Sequence, residues 1–249
     1  MTLTWLGIAR LGIVQLCLGA IVVLMTSTLN RLMVVELALP AVLPGALVAL
    51  HYGIQITRPN WGFLSDTSGK RTFWIIAGMA VLAAGGMLAA TAVWVIESAF
   101  WPGMLLNILA YALIGLGVGA SGTSLLALLA TATAPARRPA AATITWLMMI
   151  VGIAGTAGIV GAVLEPYSPE RLLRIVGIVA GGAVVVTALA IHGVERRVLA
   201  APDPEEMPFL EGMKEVWAER DARVFTLFVF LSMTGYFMQE RILEPYAGL

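Results

Sequence analysis

Few side chains in this 249-residue chain could do chemistry: it has two histidines and one cysteine, Cys17. A lone cysteine builds neither a disulfide framework nor a cysteine-based zinc site. His51 stands in an apolar stretch, with Gln55 one helical turn on. A neutral imidazole there is either a ligand nitrogen whose tautomer a neighbour fixes, or a hydrogen-bonding group between packed helices. Arg31 and Glu36 flank the far end of the first apolar run as an outer-end polar pair; the alternative is snorkelling of charged ends to an interface. The densest polar pattern lies at 61–71, where Gly62, Leu64, Asp66, Gly69, Lys70 and Arg71 fit G-x-L-x-D-x-x-G-[RK]-[RK]. Gly62 permits close helix approach, Gly69 a left-handed turn, and Asp66 can pair with basic groups or a helix N-terminus. No nucleophile–base set, phosphate loop or metal-ligand cluster stands out, so the chain reads as no enzyme and as having no metal site.

The elements that must position these residues are long and apolar. The chain is 59% hydrophobic and 12% charged, with a mean hydropathy of +0.91. Soluble domains carry about 25% charged residues, and disorder needs low hydrophobicity with high net charge. Both are excluded. The formal net charge is zero, which leaves no basic excess to hold nucleic acid. A helix needs about 20 mostly apolar residues to cross a bilayer. Seven stretches qualify: 11–29, 37–57, 72–96, 103–131, 140–164, 172–193 and 222–243. A β-barrel would show short alternating segments instead. The expected class is an all-α polytopic membrane protein. The first run follows Arg10 as a signal peptide would, but it is full length and no convincing cleavage site follows.

Basic residues orient the spans. With the N-terminus cytoplasmic, eleven of the fifteen Lys and Arg fall on the cytoplasmic side; Arg31, Arg171, Arg174 and Arg241 fall on the other. Six spans, a long charged loop and a seventh span suggest a protein of two six-helix halves. The expected organisation is a six-helix bundle over 1–194, a cytoplasmic linker over 195–221, and the first helix of an apparently truncated second half over 222–249. Glu240, Arg241 and Glu244 weakly echo Asn30, Arg31 and Glu36. Within the linker, which carries Pro202, Pro204 and Pro208, the positions Phe209, Met213, Val216 and Trp217 share one face of an amphipathic surface helix.

The 61–71 loop, placed between spans two and three, resembles the signature loop of the major facilitator superfamily, whose role is to latch one half against the other. Spans three, four and five contain no Asp, Glu, Lys, Arg or His. Ionisable groups inside the membrane usually mark ion or polar-substrate paths, so their absence favours an apolar or amphipathic ligand, or a scaffold. A narrower likeness appears at Arg10-Leu11-Gly12, at 19–24, at 26–40, at 44–52, at Arg58-Pro59-Asn60-Trp61-Gly62 and at 243–249. These segments resemble the PucC/LhaA family, the bacteriochlorophyll-delivery branch of the major facilitators.

The resemblance implies a light-harvesting antenna assembly factor of purple phototrophic bacteria. Such a factor hands over or inserts bacteriochlorophyll or another chlorin, bound reversibly, or chaperones antenna polypeptides. The implied site is the inner, intracytoplasmic photosynthetic membrane. The implied partners are the lipid bilayer and antenna polypeptides or a reaction-centre/antenna complex. On this reading His51 would ligate a chlorin magnesium, with Gln55 as its partner. The alternatives are a facilitator-type transporter of a small hydrophobic solute, or a permanent structural subunit of a photosynthetic complex.

Overall fold

A computed structural model describes residues 2–197 and 209–247, and every regular element among them is helical. Pro202, Pro204 and Pro208 of the expected linker lie outside the described residues. So do the side chains of Phe209, Met213, Glu240, Arg241 and Glu244. The chain divides into two units, Met1–Pro202 and Asp203–Leu249.

The first unit opens with α1 (Trp5–Val23), which Thr4 caps by accepting from the Gly7 amide. The helix runs on through a π-helical stretch, Leu24–Leu29, into α2 (Asn30–Val35). Next come α3 (Val42–Ile54), a 3-10 turn at Gln55–Thr57, and α4 (Arg58–Thr67). The long helices α5 (Arg71–Ser98), α6 (Phe100–Ala132), α7 (Arg138–Val163) and α8 (Pro169–Ile191) follow, then the short α9 (Val194–Arg197). Ser168 caps α8, with Pro169 in its first turn, an arrangement preorganised for a helix start. The second unit holds α10 (Phe209–Ala218) and α11 (Arg220–Ala247).

Among the described residues, five helical runs are long and apolar enough to cross a membrane: Trp5–Val35, Arg71–Ser98, Phe100–Ala132, Pro135–Val163 and Pro169–Ile191. They correspond to the first and the third to sixth expected spans. The second expected span, 37–57, differs. Its helix begins only at Val42, after Pro40, and His51, Gln55 and Arg58 dilute its apolarity before Pro59 restarts the chain as α4. The seventh expected span falls within α11.

The first span is the most enclosed of the five and the α7 span the least. α1 packs against α7 and α8; α5 packs along α6 and also against α8; α3 and α4 lie on α6. Close backbone approach makes these contacts. A Cβ at Gly117 would lie 2.5 Å from the Leu82 amide nitrogen, and one at Gly19 would lie 2.6 Å from the Met149 carbonyl oxygen. Gly152 meets the Leu16 carbonyl in the same way. Arg10 ties α1 to the end of α8: its Nε donates to the Ala190 carbonyl at 2.7 Å and its Nη2 to the His192 carbonyl at 2.6 Å. These carbonyls have no partner within their own helix, so a cation suits them.

Gly152→Ala is expected to destabilise the bundle. Its Cβ would press on backbone that cannot yield, and overpacking costs about 1–3 kcal/mol, more than the up to about 1 kcal/mol that alanine gains over glycine in a helix. Gly155→Ala, with nothing within 4 Å of its Cβ, is expected to be neutral or stabilising. Melting temperatures in detergent check the contrast; equal melting of the two variants would refute the tight α1–α7 contact.

Candidate functional site

The loop joining α4 to α5 turns at Gly69, whose φ of +61° lies in the left-handed region open to glycine. The turn brings the Arg71 guanidinium back to Asp66, with Nη2 and Nε at 2.7 and 2.9 Å from Oδ1. Nη1 of Arg71 donates to Thr131 Oγ1, near the end of α6, at 2.9 Å. The backbone amides of Arg71 and Thr72, which open α5, donate to the two carboxylate oxygens of Glu195, each at 2.9 Å. Glu195 thus caps α5 from α9. Its charge also suits the positive end of the helix dipole. The close helix approach expected at Gly62 is not made: a Cβ there would meet Thr123 only in ordinary contact, at 3.5 Å, because α4 stands far enough from α6 to leave room for one. Leu64 is 40% exposed and Lys70 is exposed. Of the motif residues, Asp66 and Arg71 are thus brought together across the Gly69 turn, whereas no hydrogen bond joins Gly62, Leu64 or Lys70 to Arg71.

His51 is buried, at 2% exposure, where Gly115 of α6 closes on the backbone of α3: a Cβ there would lie 2.8 Å from the His51 carbonyl. Arg58 donates to Gln55 Oε1, so the Gln55 amide nitrogen faces the imidazole. That nitrogen donates to His51 Nε2 at 2.8 Å. An Nε2 that accepts leaves the ring hydrogen on Nδ1, and Nδ1 is buried with no partner. The tautomer follows from this network. It is the one in which Nε2 keeps the lone pair that a metal needs. His51 and Gln55 are thus bonded, but through Nε2, the nitrogen a metal would take, rather than through the other ring nitrogen, and Arg58 is an unexpected third member.

At the opposite ends of the helices, Arg31 pairs not with Glu36 but with Glu165, at 3.8 Å. The reason is positional: Glu36 caps the end of α2, whereas Glu165 projects from the connection between α7 and α8. Arg31, Glu36, Glu165 and Tyr167 line one cavity of about 530 Å³, walled also by Leu32, Leu164 and Pro166. Tyr167 donates to Glu97 at 3.3 Å. Burial, and then the neighbouring charges of Glu97, Glu36 and Glu170, push its hydroxyl pKa up to about 12.

Sequence reasoning missed Glu195, Thr131 and Arg58 as partners, and the role of Arg10. Glu195 lies 124 residues from Arg71 and Arg10 about 180 from its acceptors, so no local spacing announced them. It also missed two polar groups of α6, both fully buried: Tyr111, whose hydroxyl donates to the Met25 carbonyl at 2.9 Å, and Asn107. Asn107 and Tyr111 stand one helical turn apart, and that spacing was the available signal.

A family model described as PUCC protein matches residues 28–249. The chain is 70% identical over its whole length to the "Bacteriochlorophyll synthase 44.5 kDa chain" of Rhodobacter capsulatus, of which it covers 58%. Two proteins named "Protein PucC" are also similar: that of Rhodobacter capsulatus at 29% identity and that of Cereibacter sphaeroides at 30%, each over 96% of this chain and 55% of the relative. The chain thus spans a little over half the length of these relatives. No solved structure matches it. The expectation that the chain is no enzyme is overturned by the first of these relatives, which is named as a chain of a synthase.

The polar node yields an order of effects. Glu195→Ala removes the acceptor of two helix-opening amides, and losing such a cap costs about 0.5–2 kcal/mol. Asp66→Asn weakens a partly exposed ion pair worth about 0–1 kcal/mol and is expected to leave membrane insertion intact. Glu195→Ala should therefore melt at the lower temperature in detergent. The reverse order would place the node's strength in the Asp66–Arg71 pair.

Proposed function

The chain belongs to the PUCC protein family, and on that premise we propose that it serves assembly of the light-harvesting antenna, delivering or inserting bacteriochlorophyll and chaperoning antenna polypeptides. The architecture proposed for it is a major-facilitator-type half over 1–194, followed by a linker and the first helix of a second half. The observation that carries the reading is the chemistry of the interior. The buried polar residues described include Gln15, Asn107, Ser121, Ser124, Thr145 and Thr187, all neutral. A bundle furnished in this way suits a largely apolar cargo with a few polar atoms better than an ion or a sugar. A second reading, favoured by the 70% identical relative's name, is that the protein works as a chain of a bacteriochlorophyll synthase.

His51 is the proposed pigment contact. When the Gln55 amide turns away, Nε2 offers its lone pair to a chlorin magnesium while Nδ1 keeps its hydrogen. Until then the Gln55 amide, oriented by Arg58, holds the ring in that tautomer. The carrying experiment compares wild type, a strain lacking the protein, and a strain with only His51→Phe. The readouts are total bacteriochlorophyll, antenna absorbance, and pigment per purified protein. Delivery requires that the deletion strain still make pigment while losing antenna, and that His51→Phe purify with little pigment. A collapse of the pigment pool itself would favour the synthase reading. Equal pigment in His51→Phe and wild type would remove His51 as the ligand, leaving it a helix–helix hydrogen bonder worth about 0.6 kcal/mol.

The proposed setting is the inner, intracytoplasmic photosynthetic membrane, with the N-terminus and the Arg71 node on the cytoplasmic side. The motive is the excess of Lys and Arg at that end. In a Cys17-free protein, an impermeant thiol reagent added outside should miss a cysteine at position 70 and label one at 168. Labelling at position 70 from outside would invert the topology.

A further inference from the structure

We propose that the first membrane span is a two-register helix, in which closing the π turn at Leu24–Leu29 into α-helix rotates the segment beyond it and carries Arg31 away from Glu165. A π turn bonds each residue five along rather than four, so it takes in one extra residue. Everything after it is out of phase with α1 by one residue, or about 100°. Side chains hold the turn in that state. The Tyr111 hydroxyl donates to the Met25 carbonyl at 2.9 Å, Thr26 Oγ1 to the Val22 carbonyl at 3.1 Å, and Asn30 Nδ2 to the Thr26 carbonyl at 3.4 Å. The Met25 carbonyl lies inside the turn, and in lipid a lost hydrogen bond is costly, so a fully buried phenol bonded to that carbonyl favours the register that holds it in reach.

The far side of the turn is poorly settled. Asn107, with no exposed surface, gives its amide nitrogen only the Met33 sulfur, at 3.8 Å, and its Oδ1 has no partner. The Arg31–Glu165 pair is long, and both side chains are more than half exposed, so it restrains the helix end little. With α1 fixed by its packing, closing the turn moves each later residue on by one place. Leu32 then takes the place of Met33 opposite Asn107, Arg31 that of Leu32, and Asn30 that of Arg31 opposite Glu165. Arg31 and Leu32 both line the 530 Å³ cavity. That cavity therefore has an arginine and a leucine in its wall in one register, and an asparagine and an arginine in the other. The device stands apart from the identity of the cargo.

The test uses the full-length protein with Cys17→Ser, in native membranes, and a short bifunctional thiol reagent. One version carries cysteines in place of Arg31 and Glu165, the other in place of Asn30 and Glu165. The first pair is expected to cross-link more than the second. Tyr111→Phe should shift the ratio toward the second pair by about threefold, the worth of a buried hydrogen bond between membrane helices. Deleting Ser27, an exposed residue of the π turn, should remove the extra residue without disturbing the phase of Arg31. That variant should accumulate normally, cross-link through 31 and 165, and no longer respond to Tyr111→Phe. An unchanged ratio in Tyr111→Phe overturns the proposal. So does a Ser27 deletion that fails to accumulate or cross-links through 30 and 165, because a deletion from an ordinary α-helix throws its far end out of phase. If Tyr111→Phe itself fails to accumulate, the deletion alone decides.

Discussion

Lipid is as apolar as leucine, and this constraint shapes the bundle. Apolar side chains gain little by leaving the bilayer for one another, so helices associate through close packing and hydrogen bonds. The chain answers with glycines where backbones meet: Gly19 and Gly152 between α1 and α7, Gly78 and Gly117 between α5 and α6, and Gly115 between α6 and α3. Where polar groups are buried, several donate to a backbone carbonyl, as Tyr111 does at Met25. The helices that lack such contacts on one side, above all α7, present that side to their surroundings. Trp146, Ile150 and Ile159 are more than half exposed there.

Local pattern made some of this legible. Five of the expected spans stand close to where their apolar runs placed them, because a run long enough to cross a bilayer has few alternatives to helix. Asp66 and Arg71 meet across the turn at Gly69, a pairing within reach of their short spacing. His51 and Gln55 touch because they are one turn apart. The errors lie where partners are remote. Arg31 had Glu36 five residues away, yet Glu165, some 130 residues on, takes the pair. Glu195 resembled an ordinary linker acid, and only the fold places it on the first amides of α5. The second run departs from its expected bounds for another reason. Apolar residues at 42–50 hid the fact that the polar ones after them end the run early.

The reading of the chain as no enzyme failed on scope rather than on chemistry. A search for nucleophiles and bases tests only the residues in hand, and this chain spans 58% of the relative that is named a synthase chain. Activity belongs to sites and not to folds, so a bundle with a neutral interior is compatible with handling a pigment and with standing beside the step that makes it.

The two ends of the bundle are held in different ways, and this difference decides where it can move. At the Arg71 end, the guanidinium, a carboxylate from α4, a hydroxyl from α6 and the α9 carboxylate interlock at 2.7–2.9 Å. Arg10 closes α8 onto α1 nearby with bonds as short. Moving α4, α8 or α9 breaks two charge-assisted bonds at once, each about twice as strong as a neutral one. At the Arg31 end, one ion pair at 3.8 Å and a tyrosine–carboxylate contact at 3.3 Å border an open cavity. Between the two ends, the first span carries a π turn in place of straight helix. A bundle clamped at one end and loosely held at the other yields at the loose end first. The π turn lies on the loose side of the clamp, which makes the Arg31 end of span one the element whose rearrangement disturbs the fewest bonds.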